Sequence, residues 1–222
     1  MFFVISNCFI INAQSITGKL IDTNSVQSAI SINLNGGLKI LQGSLSDVWS
    51  SAAGFSASLN VSISDNKFQF ILSGGYYHAE ISDKFENKID NMLSQLYGSS
   101  IKLNSLSMPL NMFPVTLGGR FFLTDGDFRP YINASIGKLY LTISDLRGAI
   151  YLSQFTDNIE RQTNQEFMYN IGTGIIYQIT KSCGIDFNVQ YERASNEFPV
   201  YLQNSSNYIS FININLGIEI HF

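Results

Sequence analysis

From Ile212 to the end of the chain every even position is apolar: Ile212, Ile214, Leu216, Ile218, Ile220 and Phe222. The odd positions are Asn213, Asn215, Gly217, Glu219 and His221. Period-two alternation of this length describes a β-strand with one greasy and one polar face. The pattern recurs upstream. A first strand is predicted from Ile30 to Ile40, with Ile30, Ile32, Leu34, Leu38 and Ile40 opposite Ser31, Asn33, Asn35 and Lys39. A second, from Gly54 to Ser64, sets Phe55, Ala57, Leu59, Val61 and Ile63 against serines and Asn60. The third carries Phe68, Phe70, Leu72 and Tyr76, and the fourth Val115, Leu117, Phe121 and Leu123. Met108-Pro109 and Phe113-Pro114 precede the fourth, so an irregular or bulged start is expected there, because proline cannot donate to a ladder. The fifth places Ile132, Ala134 and Ile136 on the apolar face; its phase then slips at Gly137-Lys138, where a β-bulge would account for Leu139, Leu141 and Ile143. The sixth alternates from Phe167 to Ile179 opposite Glu166, Asn170, Gly172 and Gly174, and the seventh from Ile185 to Tyr191 opposite Asp186, Asn188, Gln190 and Glu192. Tyr208–Phe222 is the eighth.

The connections alternate as well. Ser64-Asp65-Asn66, Asp125-Gly126-Asp127 and Lys181-Ser182-Cys183 are short turns built on residues that favour them. The other connections are long, roughly eleven to two dozen residues. In the longest, Asp83 and Glu86 form a capping-box pattern, Phe85, Ile89, Leu93 and Leu96 follow at helical spacing, and Gly98 is placed as the stop, which predicts a helix over 83–97. Short turns at one end and long loops at the other are the layout of a transmembrane β-barrel with its loops outside the cell.

Composition decides which face meets lipid. Only 14% of residues are charged, well below the roughly 25% of soluble domains, while 13% are aromatic. Mean hydropathy is only +0.09, so the apolar residues are interleaved with Ser, Asn and Gly. A helical membrane protein would need apolar runs of about 18 or more residues. A soluble barrel would carry charges on its polar face, whereas here that face is mostly small and uncharged, suited to a narrow eight-stranded lumen. Aromatics on the apolar face sort by height. Phe68, Phe121, Tyr177 and Phe222 lie near the short turns; Tyr76, Tyr169, Tyr191 and Tyr208 lie roughly 25 Å higher. Two aromatic girdles around an aliphatic band fit a bilayer. The net charge of −4 excludes an electrostatic case for nucleic acid.

These features resemble the outer-membrane β-barrel domain family, the small OmpA- and OmpX-like barrels. The resemblance covers residues 30–222 and includes Gly43-Ser44-Leu45-Ser46-Asp47 to Gly54-Phe55, Arg129-Pro130-Tyr131 and the terminal Phe222. It implies an eight-stranded antiparallel up-and-down barrel, monomeric, surrounded by outer-membrane lipid, and handled during biogenesis by periplasmic chaperones and the barrel-assembly machinery. Phe222, with Ile220 and Ile218, resembles the signal that machinery reads. Residues 1–14 read as an export signal lacking its usual basic start, and 15–29 as a short periplasmic lead-in. Cys8 and Cys183 support neither a disulfide nor a metal site.

The lumen-facing ionisable residues form two tiers: Arg120, Asp186 and Glu219 near the short turns, and Lys39, Glu192 and Lys138 above. Buried charges must be paired, so these read as ion pairs that plug the lumen rather than as an ion path. Outer-membrane barrel enzymes acting on lipids or peptides use His, Ser and acidic residues near the outer rim. His78 lies there, with Glu80 and Ser82, but period alone puts the three on one face, and nothing is placed against them to make a triad. His221 lies at the other end. No cofactor fingerprint or zinc spacing occurs. The sequence therefore predicts a non-enzymatic structural or surface-interaction protein, its long loops open to an extracellular ligand, with a narrow pore and a lipid-modifying enzyme as alternatives. Deleting Phe222 should lower the yield of inserted barrel several-fold while leaving the unfolding midpoint of the inserted fraction unchanged, as read by heat-modifiable migration on cold gels.

Overall fold

A computed structural model describes residues 30–63, 67–97, 103–144, 146–150, 153–157, 162–195 and 208–222. The expected export signal and lead-in, Cys8, the turn at 64–66 and the helix stop at Gly98 lie outside the described residues. Eight strands close a barrel: β1 (Ile30–Leu41), β2 (Ala52–Ile63), β3 (Phe68–Ala79), β5 (Leu110–Phe122), β6 (Phe128–Ile143), β9 (Gln162–Thr180), β10 (Cys183–Ser195) and β11 (Tyr208–His221). All neighbours are antiparallel, and β1 pairs with β11 from Ser31↔His221 to Leu41↔Phe211 to complete the ring. Closure satisfies every strand edge, which a lipid-embedded sheet requires because no water is present to bond free amides.

The loop end carries more structure than the alternation shows. The β1–β2 connection holds a 3-10 helix at Gly43–Asp47, and the next long connection holds helix α1 (Asp83–Tyr97). Strands β4 (Leu103–Ser107), β7 (Leu146–Ile150) and β8 (Ser153–Asp157) form a separate three-stranded sheet. The helix cap differs from the capping-box expectation. Ser82, not Asp83, is the N-cap: its carbonyl accepts from Phe85 and Glu86 N–H at 2.9 and 3.1 Å, and its hydroxyl lies 3.3 Å from Phe85 N.

Of two irregularities expected from the sequence, the one at Phe113-Pro114 is present as a gap in the ladder and the bulge in β6 is absent. β5 keeps one register against β3 on both sides of Pro114, but the ladder lapses where Phe113 and Pro114 face Tyr76 and Gly75, as expected of a residue with no N–H to donate. β6 has no bulge at Gly137-Lys138, since its registers with β5 and β9 are unbroken. The apparent phase slip has another cause. Leu139 and Leu141 keep to the inward face and are fully buried, while Lys138 points outward and is exposed, not in the lumen. The lumen itself becomes apolar towards the loops. Leu41, Tyr77, Leu110, Met112, Leu139, Leu141, Met168, Ile209 and Phe211 pack there with Trp49 and Val48 of the first loop into one core. Trp49 Nε1 donates to the Met108 carbonyl at 2.8 Å and so joins the first two long connections across the mouth. Truncating Phe211 to Ala should leave a cavity in this plug and cost about 3–5 kcal/mol, read as a lowered denaturant midpoint for the inserted barrel.

Candidate functional site

Below the plug the lumen is polar. Arg120 on β5 spans the barrel, its Nη1 3.0 Å from Glu219 Oε2 and its Nη2 3.2 Å from Asp186 Oδ2. Ser31 donates to Glu219 at 2.6 Å, while Tyr131 (2.7 Å) and Asn33 donate to Asp186. Tyr131 also lies under the guanidinium, 4.1 Å from ring centroid to Cζ. Its reach depends on Gly174, where a Cβ would lie 2.4 Å from the phenol carbon and oxygen. In the upper tier Lys39 pairs with Glu192, which also accepts from Asn213 at 2.8 Å, and its ammonium sits 4.4 Å from the Tyr77 ring centroid. A polar chamber lined largely by Asn and Ser separates the tiers. Removing Arg120 would strand two buried carboxylates. Arg120→Met should therefore cost about 3–5 kcal/mol, read in liposome unfolding, with Asp186→Asn recovering part of the loss.

The outward face carries the aromatics. Phe68, Phe121, Tyr177 and Phe222 are exposed near the short turns, and Tyr169, Tyr191 and Tyr208 towards the loops. Tyr76 is half-buried between Phe55 and Phe113, at centroid distances of 5.9 and 4.9 Å. Ile218 and Ile220 lie on this face of β11, Ile218 half-buried and Ile220 likewise.

Besides the Lys39–Glu192 tier, two hydrogen-bonded groups near the loop end carry a carboxylate among the described residues. The first is on β3 and β5. His78 shares Asn111 Oδ1 with the Tyr76 hydroxyl, at 2.9 and 2.7 Å, and its Nε2 is 2.8 Å from Glu80 Oε1. Ser82 is occupied as the helix cap, its hydroxyl also donating to the Asp47 carbonyl at 3.2 Å.

The second group is on β9, β10 and β11. Ser195, the last residue of β10, donates to Glu166 Oε2 at 2.9 Å, and its oxygen accepts from the Phe167 N–H at 3.1 Å. Glu166 is buried, Ser195 half-buried. Two residues along the same face, Arg193 lays its guanidinium over the Tyr208 ring at 3.8 Å, and Tyr208 is the register partner of Ser195. Beside them, Leu117, Ile136, Tyr169 and Arg193 share one row across four strands. The row below has Gly119 and Ala134 side by side, and this lack of bulk leaves a shallow apolar groove lined by Leu117, Ala134, Ile136, Tyr169 and Ile171. The alternation places Glu166 on a polar face but singles out none of Ser195, Arg193 and Glu166. The available signal is a carboxylate at the height where inward neighbours turn apolar, since a buried charge there needs a partner.

The ring of His78 cannot serve Ser195. β3 and β10 are four strands apart whichever way the barrel is followed, so the structure does not assemble a Ser–His–acid triad from them.

Fold and site together define an outer-membrane β-barrel with a serine–carboxylate pair at its loop end. The chain belongs to the lipid A 3-O-deacylase (PagL) family, whose sequence profile matches residues 53–217. That membership overturns the expectation of a non-enzymatic structural or surface-interaction protein and supports the lipid-modifying alternative. No curated protein matches the chain. Among solved structures, it is similar to Neisserial surface protein A at 13% identity and a TM-score of 0.54, covering 87% of this chain and 97% of that one. It is also similar to a major outer membrane protein from Thermus thermophilus, at 8% identity and a TM-score of 0.54 over 87% and 100% of the two chains. These likenesses establish the small outer-membrane barrel fold.

Proposed function

We propose that the protein hydrolyses an ester-linked acyl chain of lipid A in the outer leaflet, at the 3-O position that names its family. The observation that carries this reading is the family profile across residues 53–217. The Ser195–Glu166 contact supports the assignment of the reacting side chains. Ser31 makes a similar bond to Glu219, but it is sealed in the lumen near the opposite end, out of reach of any lipid.

Glu166 accepts the Oγ proton as Ser195 attacks the ester carbonyl, forming the Oγ–carbon bond and an oxyanion. The neighbouring Arg193 guanidinium supplies positive charge for that oxyanion, and the low dielectric of the interface strengthens the effect. Collapse expels the sugar oxygen, which takes the proton from Glu166. Water, deprotonated by the same carboxylate, then attacks the acyl-serine, and collapse frees the fatty acid with its proton returned to Ser195. The Phe167 N–H, which already bonds the hydroxyl oxygen, favours the developing alkoxide. The acyl chain would lie in the apolar groove beside Tyr169, where Ala134 and Gly119 leave room. The ion pairs of the lumen serve as a plug and brace in this reading, not as an ion path.

The test is mass spectrometry of lipid A from cells expressing the protein. The parent chain should remove one acyl group and Ser195→Ala none. Glu166→Gln should lose about 10²–10⁴-fold in rate and Arg193→Ala about 10²–10³-fold. Full activity in a heat-modifiable Ser195→Ala barrel would refute the assignment; absence of deacylation by the parent chain would refute the function.

A further inference from the structure

On the wall opposite Ser195, the Tyr76–Asn111–His78–Glu80 chain is a polar network on the outside of a membrane barrel. Tyr76, His78 and Asn111 face away from the lumen, and His78 and Asn111 are register partners on adjacent strands. The network stands on an aromatic shelf: Tyr76 packs between Phe55 and Phe113, and both of those rings are exposed on the outer face of the barrel. The backbone behind it is fixed. The Glu80 carbonyl accepts from Ser50 N–H at 2.8 Å, and Trp49 bridges Ile81, which ties this edge to the buried first loop.

The Asn111 carbonyl oxygen takes both the Tyr76 hydroxyl and the His78 ring, which leaves its NH2 as the donor of the group. Glu80 engages His78 through Oε1 and keeps Oε2 as an acceptor on a side chain that is 60% exposed. The donor and the acceptor flank the His78 ring above an apolar shelf, an arrangement suited to two hydroxyls on different sides of one sugar whose alkyl or acyl tail runs down the wall. A phosphate fits poorly, because the Glu80 carboxylate would repel it.

We propose that this ledge binds the uncharged sugar ring of an acylated or alkylated glycolipid, as a site separate from the hydrolytic one. It goes beyond the deacylase reading: β3 and β10 lie across the barrel from each other, so one site does not depend on the other.

The chain has two histidines, His78 and His221, at opposite ends of the barrel, so labelled imidazole resonances report the ledge with an internal control. The experiment titrates dodecyl maltoside into the histidine-labelled full chain held in dodecylphosphocholine micelles, where phosphate headgroups are already in excess. A saturable shift of the His78 resonances with His221 unmoved is expected. Asn111→Ala and Glu80→Ala should each raise the midpoint about tenfold. Ser195→Ala should leave it unchanged, so loss of deacylation and loss of sugar binding are separate outcomes. The unmoved His221 signal verifies the fold of each variant. No His78 shift at saturating maltoside, equal midpoints in parent and variants, or an equal response to dodecyl phosphate would each overturn the proposal.

Discussion

The antiparallel pairing of β1 with β11 is the constraint on which the rest of this molecule depends. In lipid an open sheet edge leaves peptide groups without partners, so the eight strands must close. Closure at eight strands gives a bore that side chains fill, and whatever polar residue points inward has to find its partner there. Arg120 illustrates the consequence. It reaches Asp186 and Glu219 on two other strands, and each carboxylate is completed by a hydroxyl or amide from a further strand. The charges are held by the ring that the backbone makes, and they in turn keep the bore narrow.

The two ends of the lumen solve the filling problem differently. Towards the short turns it is filled by charges with matched partners; towards the loops it is filled by Met, Leu and Phe side chains under Trp49. An apolar plug beneath the loops gives them a core to fold on, as a soluble domain would have. This arrangement holds Glu80 and His78 at one wall and Ser195 and Glu166 at the other in fixed positions. In the proposed function the chemistry lies on the outside of the barrel.

The fold is legible in the sequence because alternation survives wherever one face meets lipid and the other meets small polar residues. Leu34, Leu72, Leu117, Ile171 and Leu216 all point out as their period requires. Legibility fails where the inward residues also become apolar. In β6, Leu139 and Leu141 imitate a shift of phase because two apolar faces carry no period, and the bulge this suggests is excluded by the registers. The same imitation draws Lys138 into the lumen, where it does not belong. The outer site is hidden for a different reason. Ser195 and Glu166 are 29 positions apart in sequence and meet only because β9 and β10 pair; no local spacing encodes that contact.

His78 is the conspicuous residue in the sequence, being the imidazole near the loops, and it draws the enzyme question to the wall opposite Ser195. Its geometry argues against a role as base for a serine: one nitrogen is held by Asn111, the other by Glu80, and the nearby serine caps a helix. Ser195 has what a nucleophile on this barrel requires by position. It stands at the outer end, on a strand whose neighbours supply a buried carboxylate on one side and an arginine-stacked tyrosine on the other. A carboxylate in place of an imidazole is a weaker base in water. Glu166 is buried on the inward face of β9, the register partner of Leu139, and in the proposed mechanism the neighbouring Arg193 guanidinium supplies positive charge for the oxyanion. In the proposed mechanism the buried Glu166 and the Arg193 charge stand where a histidine would otherwise be needed.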